Sequence, residues 1–579
     1  MTTLSGQSVA GTGVDTRPGY RSSAQRGHLP CAPGGPGVPA LGGAPDSGRA
    51  GAANGLTRAE FTRATLGVVA SFSFLVACAG GRAPERVGAR RPSANVTARL
   101  RGQDDGSAPP GRPVTLPGLP FSFHRDGYEF HDLAPGQLPR GPNVTAPRRD
   151  PEPHDDHGVR MIEVDNTLYD HPNYQANFGL ENLESHRLTG EGFFLDRAKA
   201  QGRRLIDRRV ESRGAWFYPY TFDFPLHGDP DDMAVAPWYS GLSQGKALSL
   251  FSRLAKVTGE AKWRVAADRT FASFLLPPDP ARAPRGGGEK PWVVAVDSHQ
   301  LVWLVQHPRG ATLADSDRIF NGHLSGIFGL WEYERLTRNP AALALYDGAI
   351  TTLRRHVDDL RVPHWRSTYC LTHRAEASNG YHQLHVDQFA QLWLMTREPR
   401  FIRFAEQLRD DNPYPILASS RTIEFRAGEH VGYDVDIATG RILDEERVSL
   451  RTPETGTTIR RMRMKGSADQ PGGIYYRVAS GPLYDRWVRE DPDRTTLRGP
   501  VAELAYRGER RARFEGGREY VGTRYDRTGD VVTTERASPA KDADVRIDRT
   551  AWVDGAPAAH VTAGPLAGTW VPLANVRLD

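Results

Sequence analysis

The turn Leu188-Thr189-Gly190-Glu191 returns three more times, as Val257-Thr258-Gly259-Glu260, Leu336-Thr337-Arg338-Asn339 and Met395-Thr396-Arg397-Glu398. Four turns of one kind imply four copies of one unit. Each sits between apolar runs of helical spacing, as in residues 247–254 before the second turn and 263–267 after it. The unit is therefore a helix pair whose turn supplies a C-terminal stop and an N-cap for the next helix. One antiparallel pair cannot bury its own apolar stripe, so successive pairs must pack on one another. The pattern predicts a mainly α chain with an α/α helical-hairpin toroid over residues 165–412. Its chemistry is expected in the groove at the mouth of the inner helices, where loops between hairpins converge.

At 579 residues and 39% hydrophobic, the chain exceeds one ordinary domain and can bury a large core. A net charge of +5, with arginine spread along the chain, gives nucleic-acid binding only weak support, favours a solvated mixed-charge surface and leaves an acidic glycan acceptable. Three cysteines in unlike contexts, Cys31, Cys78 and Cys370, argue against a disulfide framework and against a zinc site, and Cys370 reads as a small buried hydrophobe. Residues 1–60 lack periodicity and are expected to be disordered. Residues 64–81 carry no charge, follow Arg58 and Arg63, and contain Leu75-Val76-Ala77-Cys78. That pattern is similar to a lipoprotein signal and predicts export, with an uncleaved membrane anchor as the alternative. Residues 82–150, punctuated by Pro, Gly and Arg, read as a tether.

After Pro415 the pattern changes to short alternating runs separated by Gly and Asp turns. It also repeats: Val478-Ala479-Ser480-Gly481-Pro482-Leu483 with Trp487 parallels Val561-Thr562-Ala563-Gly564-Pro565-Leu566 with Trp570. Two small β modules are expected, at about 422–495 and 503–575. A tryptophan beside a tight turn is more often a core plug than a sugar platform, so the core reading is favoured for both.

Between the third and fourth hairpins the chain holds its densest polar and aromatic cluster, residues 364–374 and 379–388. If a helix starts near Tyr381, then Tyr381, His385 and Gln388 share one face. That face carries polar groups where a core helix carries leucine. A metal reading of His382 and His385 lacks a third ligand nearby, and hydrogen-bonded buried histidines account for them better. By themselves, Tyr369 and Tyr381 favour a structural role.

Three stretches then resemble the C-terminal domain of the D-glucuronyl C5-epimerase family: Trp238 with Gly241-Leu242-Ser243-Gln244-Gly245, Phe320-Asn321-Gly322 with Gly329-Leu330-Trp331-Glu332, and Tyr381-His382 with His385 and Gln388. An earlier piece, residues 172–180, extends the likeness to about 165–412. The resemblance implies that Tyr369 and Tyr381 serve the reaction. Glu332 is a further catalytic candidate, and Asn321, Trp331, Trp238, Gln244 and Gln388 are candidate substrate contacts. Where the family has an arginine after the first tyrosine this chain has Thr372, with Arg374 close enough to stand in. An acidic position of the family is Gln306 here, a tyrosine is Trp331, and the residues that correspond to the family's N-terminal β-hairpin are not identified from the sequence.

The chemistry suits such residues. The C5 proton of a uronate lies α to a carboxylate, so its removal creates charge that a cation or donor cluster must hold, and Arg374, His382 and His385 are the candidates. Inversion then needs a proton from the opposite face, which two tyrosines could supply. Glu332, or the aromatic run 216–220, could add further groups, although that run reads better as a stacking wall or core. The reading is a C5-epimerase of uronic residues in an acidic polysaccharide, envelope-associated, with no metal or cofactor and a possible homodimer. A lyase using the same proton abstraction, or an inactive glycan-binding protein, are the alternatives.

Overall fold

The computed structural model describes residues 119–578 except 141–143, 279–289, 311, 438–440 and 467–471. The expectations for residues 1–60, for the signal-like segment 61–81 with Cys78, and for 82–118 lie outside the described residues.

Eight α-helices among the described residues form four hairpins: α1 (Pro172–Thr189) with α2 (Gly192–Arg208), α3 (Gly241–Thr258) with α4 (Ala261–Phe271), α5 (Phe320–Thr337) with α6 (Pro340–Leu360), and α7 (Asn379–Thr396) with α8 (Pro399–Asp411). The repeated threonine ends the first helix of every pair. Its Oγ1 donates to the carbonyl four residues back, at 2.8 Å in all four copies. The same oxygen accepts the N–H two residues on, at 3.1–3.2 Å. The next residue, Gly190, Gly259, Arg338 or Arg397, is left-handed and stops the helix. Glu191, Glu260, Asn339 and Glu398 then stand at the N-caps of the second helices.

The first helices of the four pairs are each 18 residues long. They form an inner row in which α3 packs on α1 and α5, and α5 on α7. Glycines permit the tightest approach. A Cβ on Gly245 would lie 2.4 Å from the Ser325 carbonyl oxygen, and one on Gly329 2.4 Å from that of Gly245. The Gln-Gly and Gly-Leu motifs thus encode a helix crossing.

Residues 119–150 are not a tether where they are described. Phe123 is fully buried, the His131 N–H bonds the Met395 carbonyl at 3.0 Å, and buried Asp347 takes Arg125 at 2.9 Å together with the N–H groups of Gly127 and Tyr128. Pro/Gly punctuation there marks an irregular strap laid on the helices, with buried apolar residues too sparse to show a period.

The C-terminal region is two seven-stranded antiparallel sheets with one topology repeated. The first contains β11 (Ile416–Phe425), β12 (Gly428–Asp436), β13 (Arg441–Leu450), β14 (Glu454–Met464), β15 (Gly473–Arg477), β16 (Trp487–Arg489) and β17 (Thr495–Leu497), in spatial order 13-12-16-15-14-11-17. The second contains β18 (Pro500–Phe514), β19 (Tyr520–Tyr525), β20 (Val531–Ala537), β21 (Ala543–Val553), β22 (Ala556–Ala563), β23 (Trp570–Pro572) and β24 (Arg577–Leu578), in order 20-19-23-22-21-18-24. Strand for strand, these orders coincide. The Gly-Pro-Leu turns match as well, with Gly481 and Gly564 both at φ 92° and Leu483 and Leu566 both left-handed. Trp487 and Trp570 are 1% and 9% exposed, which makes both core plugs. The second sheet joins the helices directly: Leu504 and Tyr506 lie in the helical core, the Tyr506 hydroxyl bonds Glu406 at 2.7 Å, and Arg409 bonds the Thr550 carbonyl at 3.2 Å. No helix among the described residues is long and apolar enough to cross a membrane.

Candidate functional site

Between successive hairpins the chain inserts short β-ribbons: β3 (Val210–Ser212) with β4 (Ala215–Phe217), β5 (Phe224–Pro225) with β6 (Met233–Ala234), β7 (Val294–Val296) with β8 (Val302–Leu304), and β9 (Thr368–Cys370) with β10 (Ala375–Glu376). They lead into the N-termini of α3, α5 and α7, and their ends meet. Tyr220 stacks on Trp238 with centroids 3.7 Å apart, and Trp238 meets His307 edge-on at 5.6 Å. Gln306 Nε2 lies 3.3 Å from His307 Nε2 and donates to the Tyr369 hydroxyl at 3.2 Å. Tyr369 then faces Tyr381, with ring centroids 4.6 Å apart. One continuous line of side chains crosses all three connections between the hairpins.

Tyr369 sits on β9 and Tyr381 in the first turn of α7, whose N-cap Ser378 accepts the Tyr381 N–H at 3.3 Å. Tyr369 is half-buried. Burial first, and Tyr381 second, hold that phenol well above its ordinary pKa, so it is protonated. Beside the pair, Gln388 Nε2 donates to the Asn321 carbonyl at 3.1 Å. The side-chain oxygens of Gln306, Asn321 and Gln388 are buried without a hydrogen-bond donor among the described residues. Such atoms need water or a polar ligand.

Several sequence candidates are placed elsewhere. Arg374 tops the β9–β10 ribbon with its side chain 66% exposed, reaching Asp359 at 4.0 Å, and does not back the tyrosines. His382 is locked structurally: its Nδ1 accepts the Ser367 N–H and its Nε2–H donates to the Leu408 carbonyl, both at 2.8 Å. His385 bonds the Ser367 hydroxyl at 2.9 Å, and burial lowers its pKa to about 3, so it supplies no cation. Gln244 ties Trp216 and Tyr218 backbone atoms to Ser273. Glu332 is eleven residues along α5 from Asn321, about 16 Å up the helix axis, and pairs with Arg253 at 2.5 Å. Trp331 is fully buried and stacks on Phe130 at 5.6 Å. Both are candidates through the resemblance of the Gly-Leu segment, which lies toward the far end of this 18-residue helix from Asn321. Thr372 uses its hydroxyl on the Ser316 carbonyl and the Arg318 N–H.

Sequence reasoning missed His227, His307, Asp317 and His373. Asp317, 1% exposed, lies 3.4 Å from His227 Nε2, 3.5 Å from His307 Nδ1 and 3.0 Å from His373 Nδ1. Burial works against charge on Asp317, but the neighbouring imidazoles of His227 and His307 win and hold its carboxyl below the usual range. Cys370 is buried as expected, yet its neighbours are polar: its Sγ is 3.8 Å from Asp317 and 3.6 Å from His373. The edge of the His227 ring lies against Tyr369, with centroids 5.8 Å apart.

Comparison with known proteins bears on the same stretch. The family profile described as D-glucuronyl C5-epimerase C-terminus matches residues 211–410, a narrower span than 165–412 that leaves the motif at 172–180 outside. No curated protein matches. Among solved structures the chain is similar to cellobiose 2-epimerase from Spirochaeta thermophila, at 16% identity over 44% of this chain and 63% of that one, with a TM-score of 0.31. It is also similar to an unsaturated glucuronyl hydrolase from Streptococcus agalactiae, at 13% identity, 42% and 57% coverage and a TM-score of 0.28. A family 76 α-mannanase from Bacteroides thetaiotaomicron gives 10% identity, 52% and 72% coverage and a TM-score of 0.32. The chain spans about three fifths of the length of the first structures it matches. Residues 211–410, which carry the tyrosine pair and the loops around it, are thus the stretch that matches the D-glucuronyl C5-epimerase C-terminus profile.

Proposed function

We propose that the protein epimerises uronic acid residues, D-glucuronyl to L-iduronyl in type, at C5 within an acidic polysaccharide, on four hairpins closed as an α/α toroid. The observation that carries this reading is the facing pair Tyr369–Tyr381, ring centroids 4.6 Å apart, inside the family-matched stretch. One phenolate removes the C5 proton and the other phenol returns a proton to the opposite face. Charge building on the uronate carboxylate would face the N-termini of α5 and α7, whose dipoles favour an anion. The acceptor oxygens of Gln306, Asn321 and Gln388 would take sugar hydroxyls, and Trp238 stacked on Tyr220 offers an aromatic wall. The N-terminal segment would place the protein in the cell envelope, exported or membrane-anchored, and no nucleic acid is expected as a partner.

One observation favours a lyase as the second reading. With their rings only 4.6 Å apart, the two tyrosines would address one side of a sugar, which suits proton abstraction and leaving-group protonation from the same face. For epimerisation the substrate has to part them. Incubating the protein with uronate polysaccharides in deuterated water separates the two readings. Deuterium at C5 without chain cleavage supports the epimerase, an unsaturated uronate chromophore supports the lyase, and polymer retention with neither overturns both.

A further inference from the structure

We propose that His227, Asp317, Cys370 and His373 form a tetrahedral binding site for one zinc ion. Their ligand atoms, two imidazole nitrogens, a thiol sulfur and a carboxylate oxygen, all lie within 4.8 Å of one another. Zinc holds nitrogen at about 2.05 Å and sulfur at about 2.3 Å, so a tetrahedron requires N–N edges near 3.3 Å and N–S edges near 3.6 Å. The observed edges are 3.2 Å between His227 Nε2 and His373 Nδ1, and 3.6 Å between Cys370 Sγ and His373 Nδ1. The oxygen edges fit too, at 3.0 Å from Asp317 Oδ1 to His373 Nδ1 and 3.8 Å to Cys370 Sγ.

Hydrogen bonding alone explains this cluster poorly. A sulfur contact of 3.8 Å is long, and Asp317 Oδ2, on a side chain 1% exposed, makes no hydrogen bond that meets ordinary geometry although two imidazoles point at it. Arg309 approaches that oxygen at only 3.8 Å and makes its short ion pair, 2.5 Å, with Asp232. A divalent cation resolves the arrangement by taking carboxylate, thiolate and both imidazoles as ligands. The mixed nitrogen, oxygen and sulfur set suits zinc. Four protein ligands leave no open position, which marks a structural site. It fastens the β5–β6 loop, the approach to α5 and the ribbon that carries Tyr369. His307 bridges outward from Asp317, and its neighbour Gln306 reaches the Tyr369 hydroxyl. His373, with its side chain 44% exposed, leaves an entry path.

The test reads metal rather than turnover, so it stands or falls apart from the epimerase reading. The full chain, carrying Cys31→Ser and Cys78→Ser to remove the other thiols, is loaded with zinc for elemental analysis and with cobalt for absorption spectroscopy. One tightly held zinc per chain and a thiolate-to-cobalt charge-transfer band are expected, and Cys370→Ser abolishes the band. Should Cys370→Ser fail to fold, His373→Ala, at a half-exposed position, is expected to keep the helical circular dichroism and lose the zinc. A folded parent chain that stays metal-free after loading overturns the proposal. So does bound cobalt without a thiolate band, a band that survives Cys370→Ser, or zinc that His373→Ala retains.

Discussion

Arg374 stands in the sequence as a replacement for the family's arginine but points to Asp359 in space, and two substitutions turn that into a measurement. Tyr381→Phe keeps the ring contact with Tyr369 and removes one hydroxyl. A structural hydroxyl would cost about 1 kcal/mol of stability, whereas loss of a positioned acid or base costs roughly 10²–10⁴-fold in rate. The proposed function predicts the rate loss, read as initial C5 exchange, with little change in melting. Arg374→Ala is expected to leave both stability and rate nearly unchanged, because its side chain is 66% exposed and its carboxylate partner is 4.0 Å away. A rate loss there comparable to that of Tyr381→Phe would return the arginine to the site. The tyrosines were legible because the family keeps them at recognisable spacings. Asp317, His227 and His307 were not, since residues that meet only through loop convergence leave no period in the sequence.

At the scale of elements, the four hairpin turns were readable because one side chain does two jobs in each. Thr396 bonds the Leu392 carbonyl at 2.8 Å and accepts the Glu398 N–H at 3.2 Å, so Thr396→Ala is expected to cost about 1–2 kcal/mol of stability, checked by thermal or denaturant unfolding. The crossing of α3 and α5 gives a sharper case. Gly329→Ala places a methyl 2.4 Å from the Gly245 carbonyl oxygen, and overpacking of about 1–3 kcal/mol is expected. An unchanged melting temperature in Gly329→Ala would mean that the helices do not approach this closely. The duplicated sheets were also legible, since Gly-Pro-Leu with a following tryptophan recurs at matching turns. Their seven-strand order was hidden, because pairing between strands distant in sequence leaves only weak local traces.

For the whole molecule, the second sheet shares the helical core through Leu504 and Tyr506. A chain ending at residue 412 would expose that surface, and it is expected to aggregate or lose cooperative unfolding, as seen by size exclusion and circular dichroism. Acid sensitivity belongs to this scale as well. Burial lowers the imidazole pKa of His171 to about 3, His323 to about 4 and His385 to about 3. Between pH 6.5 and about 4 the unfolded chain binds protons at these positions that the folded chain refuses, so stability is complete above pH 6.5 and falls as pH drops. Each group contributes a slope of up to about 1.4 kcal/mol per pH unit, and His323→Gln, compared with the parent by unfolding at pH 7 and pH 5, should show a shallower loss. The central claim is that the tyrosine pair moves the C5 proton. Its most direct measurement is deuterium incorporation at C5 of a uronate polymer in deuterated water, followed by NMR for the parent, Tyr369→Phe and Tyr381→Phe. The account predicts incorporation by the parent and its near-complete loss in both folded variants, whereas incorporation at the parent rate in either would contradict it.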